Sequence, residues 1–112
     1  MNESEFEQKI EATMMRIEEA IDASNMLFDK DSSGEIDYDT AGGILTLYFA
    51  DQSQIIINRQ TPLKQLWIAA KSGGYHYDYR DNGWINVQTG KPVWEELSQF
   101  CSEQSQRKIV LS

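Results

Sequence analysis

Residues 55–70 read IIINRQTPLKQLWIAA and residues 75–79 read YHYDY. Both stretches are rich in β-branched and aromatic residues, and tyrosines alternate with polar residues along the second. Such composition and a period of two are typical of strands with one buried face. Gly73 and Gly74 separate the two stretches, which predicts a turn between neighbouring antiparallel strands.

More strand candidates lie on both sides of this stretch. An apolar run precedes residue 50 and another follows residue 54, so Asp51-Gln52-Ser53 is predicted to be the turn of a hairpin. No helical pattern interrupts the series, which favours consecutive antiparallel strands. The candidates are residues 36–38, 44–49, 55–58, 66–70, 75–79 and 84–87.

An amphipathic helix is predicted before the strands, over residues 4–25. Ser4 is the expected N-cap, and Glu7 three residues later completes a capping box. Apolar residues recur at spacings of three and four, which gives the helix one buried face. They are Phe6, Ile10, Met14, Ile17 and Ile21.

A second helix is predicted after the strands, because Thr89-Gly90-Lys91-Pro92 opens another segment with helical periodicity. We expect the apolar tail Ile109-Val110-Leu111 to pack on the domain. The apolar stripe of this helix comprises Val93, Trp94, Leu97, Phe100 and Cys101.

The order helix, strands, helix predicts an α+β fold. Each helix has one apolar face, so the simplest arrangement is a two-layer sandwich. Both helices would then pack on one face of an antiparallel sheet of five to six strands, and the other face would be exposed to water. Residues 1–112 are expected to form a single domain.

Composition and charge exclude several classes of protein. The chain has a formal net charge of -8, so binding to nucleic acid or to an anionic membrane surface is not expected. It has no apolar run long enough to span a membrane and no signal peptide, so we expect a soluble cytoplasmic protein. Cys101 is the single cysteine, which excludes a disulfide within the chain and a cysteine-based zinc site.

Acidic residues crowd the end of the first helix. Glu18 and Glu19 lie four and three residues before Asp22, so they are neighbours on the helix surface. Like charges at this spacing destabilise a helix, and the helix dipole favours cations at this end. Glu11 lies on the same face, and Asp37 follows in the first strand. Together they predict an open anionic edge that binds hard cations weakly through oxygen, although a merely solvated acidic face is the alternative.

The segment after the helix resembles the start of a calcium-binding loop. Asp29 and Asp31 precede Gly34 at the spacing of an EF-hand. However, the twelfth position holds Thr40 instead of glutamate, and a strand follows instead of a helix. A weak carboxylate patch or a polar turn is therefore favoured, and Asp29 and Asp31 are counted among the metal-ligand candidates.

A second candidate surface lies on the exposed side of the sheet. If Leu66 and Ile68 face the helices, Trp67 faces water, where Asn58 and His76 alternate to the same side. A tryptophan exposed among polar residues is typical of a protein contact site. No nucleophile, phosphate loop or histidine pair argues for catalysis, and we expect a protein that is not an enzyme.

The segments 55–69 and 72–78, together with the N-terminal MNESEF and Ile17-Glu18-Glu19, resemble the frataxin family over nearly the whole chain. The resemblance implies weak binding of iron (Fe²⁺ or Fe³⁺, with other divalent cations possible) at Glu18, Glu19 and Asp22. It also implies a role in iron–sulfur cluster assembly, with the cysteine desulfurase and the scaffold protein as partners, and a monomer in the absence of iron. The family's acidic surface usually continues after the position of Asp22, whereas this chain has Ala23 and Asn25.

Four functional hypotheses follow from the residues and the resemblance. The first is an iron-binding adaptor or regulator that docks on the desulfurase through the acidic residues, and the second is an iron chaperone or store that delivers iron to the scaffold. The third is a calcium-responsive module built on residues 29–37. The fourth, enzymatic oxidation of Fe²⁺, is the weakest because the acidic surface lacks the inward Glu and His ligands of di-iron sites.

Overall fold

A computed structural model of the protein describes residues 1–27 and 35–112. Its elements follow the predicted order of helix, strands and helix. They are α1 (Glu3–Asn25), β1 (Asp37–Ala41), β2 (Ile44–Tyr48), β3 (Gln54–Gln60), a short 3₁₀ turn (Thr61–Leu63), β4 (Gln65–Ala70), β5 (Gly73–Arg80), β6 (Gly83–Asn86) and α2 (Val93–Ser105).

The first helix starts earlier than predicted. Its N-cap is Asn2, whose side-chain oxygen accepts a hydrogen bond from the backbone N–H of Glu5 at 2.8 Å. The predicted cap at Ser4 is wrong because Ser4 already lies inside the helix, and Glu7 pairs with Arg59 in the sheet layer. The predicted apolar stripe is confirmed, since its five residues are all buried: Phe6, Ile10, Met14, Ile17 and Ile21.

The six strands form one antiparallel sheet in the order β1-β2-β3-β4-β5-β6. The predicted hairpin about residues 51–53 is confirmed, and Gln52 adopts a left-handed backbone conformation in its turn. The turn between β4 and β5 differs from the prediction, because Gly73 and Gly74 already pair with Ala70 and Ala69 as part of β5. Residues 71–72 make that turn instead.

The sheet alternates cleanly between a covered face and a face that we call the open face. On the covered face, Leu45, Ile57 and Ile68 lie side by side in the register and are buried beneath the helices. On the open face, Thr46, Ile56 and Ala69 occupy the matching positions and are partly or fully exposed. Both helices pack on the covered face, which confirms the predicted two-layer α+β sandwich.

The second helix begins one residue later than the sequence suggests, with Pro92 as its N-cap and Val93 as its first residue. The predicted stripe is buried except for Trp94, which is half-buried. The C-terminal tail packs as expected, because Ile109 and Leu111 are buried. Their backbone N–H groups donate to the hydroxyls of Ser102 and Ser98, each at 2.8 Å, which fixes the tail along α2.

Neither of the two helices in the described part of the chain is long and apolar enough to cross a membrane.

Candidate metal-binding and partner-binding surfaces

We call Glu18, Glu19 and Asp22 the acidic ridge. Two of its members are held by side chains of the first strand. The Thr40 hydroxyl donates to Oε2 of Glu18 at 2.8 Å, and the Tyr38 hydroxyl donates to Oδ2 of Asp22 at 3.0 Å. A carboxylate has about four acceptor positions, so each keeps free lone pairs that point into solvent. The ridge is therefore oriented by β1 without being neutralised by it.

No cation compensates the acidic ridge within residues 1–27 and 35–112. The ion pairs found there join Glu7 to Arg59, Asp51 to Lys71, and Asp78 to Arg80, and none involves a ridge residue. The negative charge also affects a neighbour: the hydrogen bond to Asp22, followed by desolvation and the charges of Asp22 and Glu18, raises the pKa of Tyr38 above its usual value. The phenol therefore remains a donor to the ridge at physiological pH.

The ridge is not a preformed metal cage. Among the described residues, no group of three or more His, Cys, Asp or Glu side chains is placed to hold a metal ion. Glu11 is exposed on the same helix, but Met15, which is 61% exposed, lies between it and the ridge in the sequence. An ion at the ridge would therefore keep most of its water ligands, which fits weak binding of a hard cation.

The predicted continuous anionic edge is wrong for the acids of the first strand. Tyr38 and Thr40 contact α1, so the residues that alternate with them point to the opposite side of the sheet. The register agrees, because Asp37 pairs with Tyr48 and Asp39 with Thr46 on the open face. Asp37 is thus separated from the ridge, and its role as an ion ligand stays a prediction. Asp29, Asp31 and the EF-like turn lie outside the described residues.

The second surface consists of Asn58, Trp67 and His76, which we call the aromatic platform. The three residues are direct neighbours across β3, β4 and β5. The rings of Trp67 and His76 stack with their centroids 4.1 Å apart and 10° between their planes. The indole N–H of Trp67 donates to Oε1 of Gln65 at 2.8 Å, which fixes the ring further.

The structure places the platform on the open face, as predicted. Trp67 and Asn58 are half-buried and His76 is exposed. The neighbouring row is apolar or small, with Ile56, Ala69 and Gly74 side by side. A flat, rigid aromatic surface with small neighbours loses little side-chain entropy when a partner covers it, which suits an interface anchor.

Asn25 has a role that the sequence analysis missed. Its side-chain amide donates to the carbonyl of Ile36 at 2.8 Å and its oxygen accepts from the N–H of Ile36 at 2.9 Å. The two bonds tie the end of α1 to the start of β1, which brings Tyr38 and Thr40 under the ridge. The only hint of this role in the sequence is that position 25 holds asparagine where the family usually has an acidic residue.

A buried polar network was also missed. Glu96 is 6% exposed, and its Oε1 accepts from the Tyr77 hydroxyl and from Nδ2 of Asn86, both at 2.7 Å. Its Oε2 accepts from the Thr89 hydroxyl at 3.0 Å. Burial, followed by the hydrogen bond to Glu96 and its charge, strongly raises the pKa of Tyr77. The network joins α2 to β5, to β6 and to the loop after β6.

Comparisons with known proteins agree with this architecture. The chain matches the family profile of the frataxin-like domain over residues 1–107. It is 43% identical over 109 residues to the iron–sulfur cluster assembly protein CyaY of Vibrio cholerae, and the match covers 97% of each chain. The protein of the same name from Vibrio parahaemolyticus is 41% identical, with the same coverage.

Solved structures lead to the same family. Frataxin from Psychromonas ingrahamii superposes with a TM-score of 0.85 at 37% identity, covering 100% of this chain and 99% of that one. Trimeric frataxin from Saccharomyces cerevisiae, complexed with ferrous iron, gives a TM-score of 0.73 at 19% identity, covering 88% of this chain and 87% of that one, which shows a shared fold. With a family match across almost its full length, the chain belongs to the frataxin family.

Proposed function

We propose that this protein takes part in iron–sulfur cluster assembly as an iron-binding adaptor or regulator and is not an enzyme. In this proposal it docks on the cysteine desulfurase through the acidic ridge. The observation that carries the proposal is that Glu18, Glu19 and Asp22 have no cation partner among residues 1–27 and 35–112, at the end of a helix whose dipole favours cations there. Relatives that are 43% identical bear the name iron–sulfur cluster assembly protein, which supports the same role.

The metal chemistry follows from the kind of ligand. The ridge offers only carboxylate oxygens, on an open surface, and these are ligands for hard cations. Fe²⁺ or Fe³⁺ would bind weakly with several retained waters, and other divalent cations would compete. Glu11, Asp29, Asp31 and Asp37 are proposed as further ligands for additional ions, with Asp37 reached from the open face and not from the ridge.

The same charge suits a protein partner. A basic patch on the desulfurase would meet the ridge, so that charge complementarity would set the association rate and its salt dependence. The aromatic platform supplies a second contact, for the desulfurase or for the scaffold protein, on the open face. Iron and the desulfurase would then bind the same carboxylates. In this proposal the protein is cytoplasmic, and it is monomeric without iron.

Charge reversal at the ridge tests the proposal. The double variant Glu18→Lys, Glu19→Lys is expected to lose desulfurase binding in a pull-down at low salt, while its circular dichroism spectrum stays unchanged. The matched control is Glu3→Lys, Glu103→Lys, which makes the same change in net charge at exposed positions on the two helices. The proposal fails if the ridge variant binds like the wild type, or if the control loses binding equally.

Iron transfer separates this role from that of a chaperone or store. An adaptor requires the desulfurase for any effect on cluster formation. If the iron-loaded protein delivers iron to the scaffold in the absence of desulfurase, and the ridge variant does not, the role of a chaperone replaces that of an adaptor.

A further inference from the structure

A groove on the other flank of α1 has a chemistry opposite to that of the ridge. It lies between α1, the β5–β6 turn and the start of α2. Glu18 and Asp22 face β1, away from the groove. Glu19, the third ridge residue, lies three residues after Arg16 and borders the groove on the helix surface. Its main lining residues are Lys9, Thr13, Arg16, Tyr79, Trp84 and Trp94.

Two cations line the groove, and each lies over an aromatic ring. The ammonium of Lys9 lies 5.3 Å from the centroid of the Tyr79 ring, and the guanidinium carbon of Arg16 lies 5.1 Å from that of Trp94. Neither cation pairs with a carboxylate from the described part of the chain. Because cation–π contacts restrict both side chains, less entropy is lost when an anion binds them.

Two hydrogen bonds fix the Trp84 and Thr13 side chains in the lining of the groove. The indole N–H of Trp84 donates to the hydroxyl of Thr13 at 2.9 Å, and that hydroxyl donates to the carbonyl of Lys9 at 2.8 Å. Trp84 itself is buried. Ala12 adds a small apolar side chain beside Thr13, so a ligand can approach the helix closely. The groove therefore combines aromatic rings with polar groups, among them Asn82, and it is lined by two cations.

The spacing of Lys9 and Arg16 along α1 indicates which class of ligand could contact both residues. Lys9 and Arg16 are seven residues apart on α1, which corresponds to about 10.5 Å along the helix axis. In a polyproline II helix, residues i and i+3 lie on one side and about 9.3 Å apart. Aromatic-lined grooves are a recurring docking site for proline-rich segments in this conformation. We propose that the groove binds an acidic, proline-rich peptide segment of a partner protein, with carboxylates three residues apart reaching Lys9 and Arg16 and proline rings lying between them.

Phosphate ligands fit the groove less well. A polyphosphate carries its charges within a short span, so it would meet one of the two separated cations and leave the aromatic rings uncovered. Nucleic acid would place many phosphates near a chain of net charge -8, which opposes binding. A peptide with two separated carboxylates and proline rings can meet both cations and the aromatic rings, and it brings only two negative charges.

An NMR titration of the ¹⁵N-labelled protein tests the proposal. The probe is the capped peptide acetyl-Pro-Glu-Pro-Pro-Glu-Pro-amide, and the control probe has glutamine in place of both glutamates. We expect saturable shifts of the amides of Ala12, Thr13, Asn82 and Gly83 with the acidic peptide. The control peptide should bind several-fold more weakly.

Variants identify the two cations as the recognition elements. The loss of one exposed charge pair raises Kd by about 1.4- to 5-fold. The double variant Lys9→Gln, Arg16→Gln should therefore bind the peptide about 2- to 25-fold more weakly. The variant Lys91→Gln, Lys108→Gln, a matched loss of two exposed cations, should bind like the wild type. The proposal is overturned by an absence of saturable shifts, by equal affinity for both peptides, by an unchanged Kd in the Lys9/Arg16 variant, or by tighter binding of inorganic pyrophosphate in the same groove.

Discussion

Replacing Glu96 by leucine should destabilise the protein severely, although Glu96 touches neither candidate surface. In the native protein its Oε1 accepts hydrogen bonds from the Tyr77 hydroxyl and from Nδ2 of Asn86, and both of these residues are buried. Leucine fills a similar volume but accepts no hydrogen bond, so both donors would remain buried without a partner. The Thr89 hydroxyl is on an exposed residue and can turn to water.

The magnitude follows from the two lost partners. A buried donor without an acceptor costs about 1–3 kcal/mol, so Glu96→Leu should lower the free energy of unfolding by about 2–6 kcal/mol. Typical domains have about 5–15 kcal/mol in total, so the variant would be marginally folded at 37 °C. Glu96→Gln keeps an amide oxygen in place of Oε1 and should cost about 1 kcal/mol or less, which makes it the matched control.

Urea denaturation followed by circular dichroism measures both variants. A double-mutant cycle with Tyr77→Phe isolates the hydrogen bond: removing the hydroxyl should be destabilising in the wild type but much less so in the Glu96→Leu background. A cost of less than about 1 kcal/mol for Glu96→Leu with an unchanged m-value, or additive effects of the two substitutions, would show that Glu96 is not the acceptor that both buried donors need.

Three further predictions concern the thiol, the platform and the start of β1. Burial raises the pKa of Cys101 to about 12, so the folded protein should resist alkylation at pH 8 and react only when unfolded, and rapid alkylation of the native protein would contradict this. Because the thiol stays protonated in the folded protein where it ionises in the unfolded chain, the free energy of unfolding should fall as the pH rises from about 9 to 12. Trp67→Ala should weaken partner binding by about 30-fold or more if the platform anchors an interface; calorimetry measures this, and an unchanged Kd would show that the platform is not part of the interface. The same substitution should lower the free energy of unfolding by about 0.5–1.5 kcal/mol through loss of the stack on His76, which urea denaturation measures. Asn25→Ala should lower the free energy of unfolding by about 1–3 kcal/mol, because it removes both hydrogen bonds to the backbone of Ile36. Hydrogen exchange of the Ile36 amide should accelerate, and unchanged exchange would show that these hydrogen bonds do not hold β1 in place.

The sequence was sufficient for the fold because its patterns are strong and local. The stripe from Phe6 to Ile21 repeats without interruption, and the alternation around Trp67 has a single arrangement that buries Leu66 and Ile68. The residue at which α1 starts was harder to predict, because Asn2 and Ser4 lie two residues apart and both are residue types that cap helices well. Which of the two caps the helix depends on packing and not on propensity.

The sites could be predicted only in part, because they depend on contacts between distant elements. The acidic ridge is visible from spacing on one helix. The face of β1 that meets it was not predictable, since Tyr38 and Thr40 alternate with Asp37 and Asp39 and all four are tolerated at a surface. Glu96 gave no signal at all, because a buried acid is explained only by its partners Tyr77 and Asn86, which are 19 and 10 residues away.

An anaerobic Fe²⁺ titration of the ¹⁵N-labelled protein shows whether the ridge carboxylates, which have no cation partner among the described residues, bind the metal ion. Paramagnetic broadening should begin at the amides of Glu18, Glu19 and Asp22 and extend to Tyr38 and Thr40, and it should disappear in the fully folded variant Glu18→Gln, Glu19→Gln, Asp22→Asn. Broadening that begins elsewhere, or that is the same in this variant as in the wild type, would contradict the account.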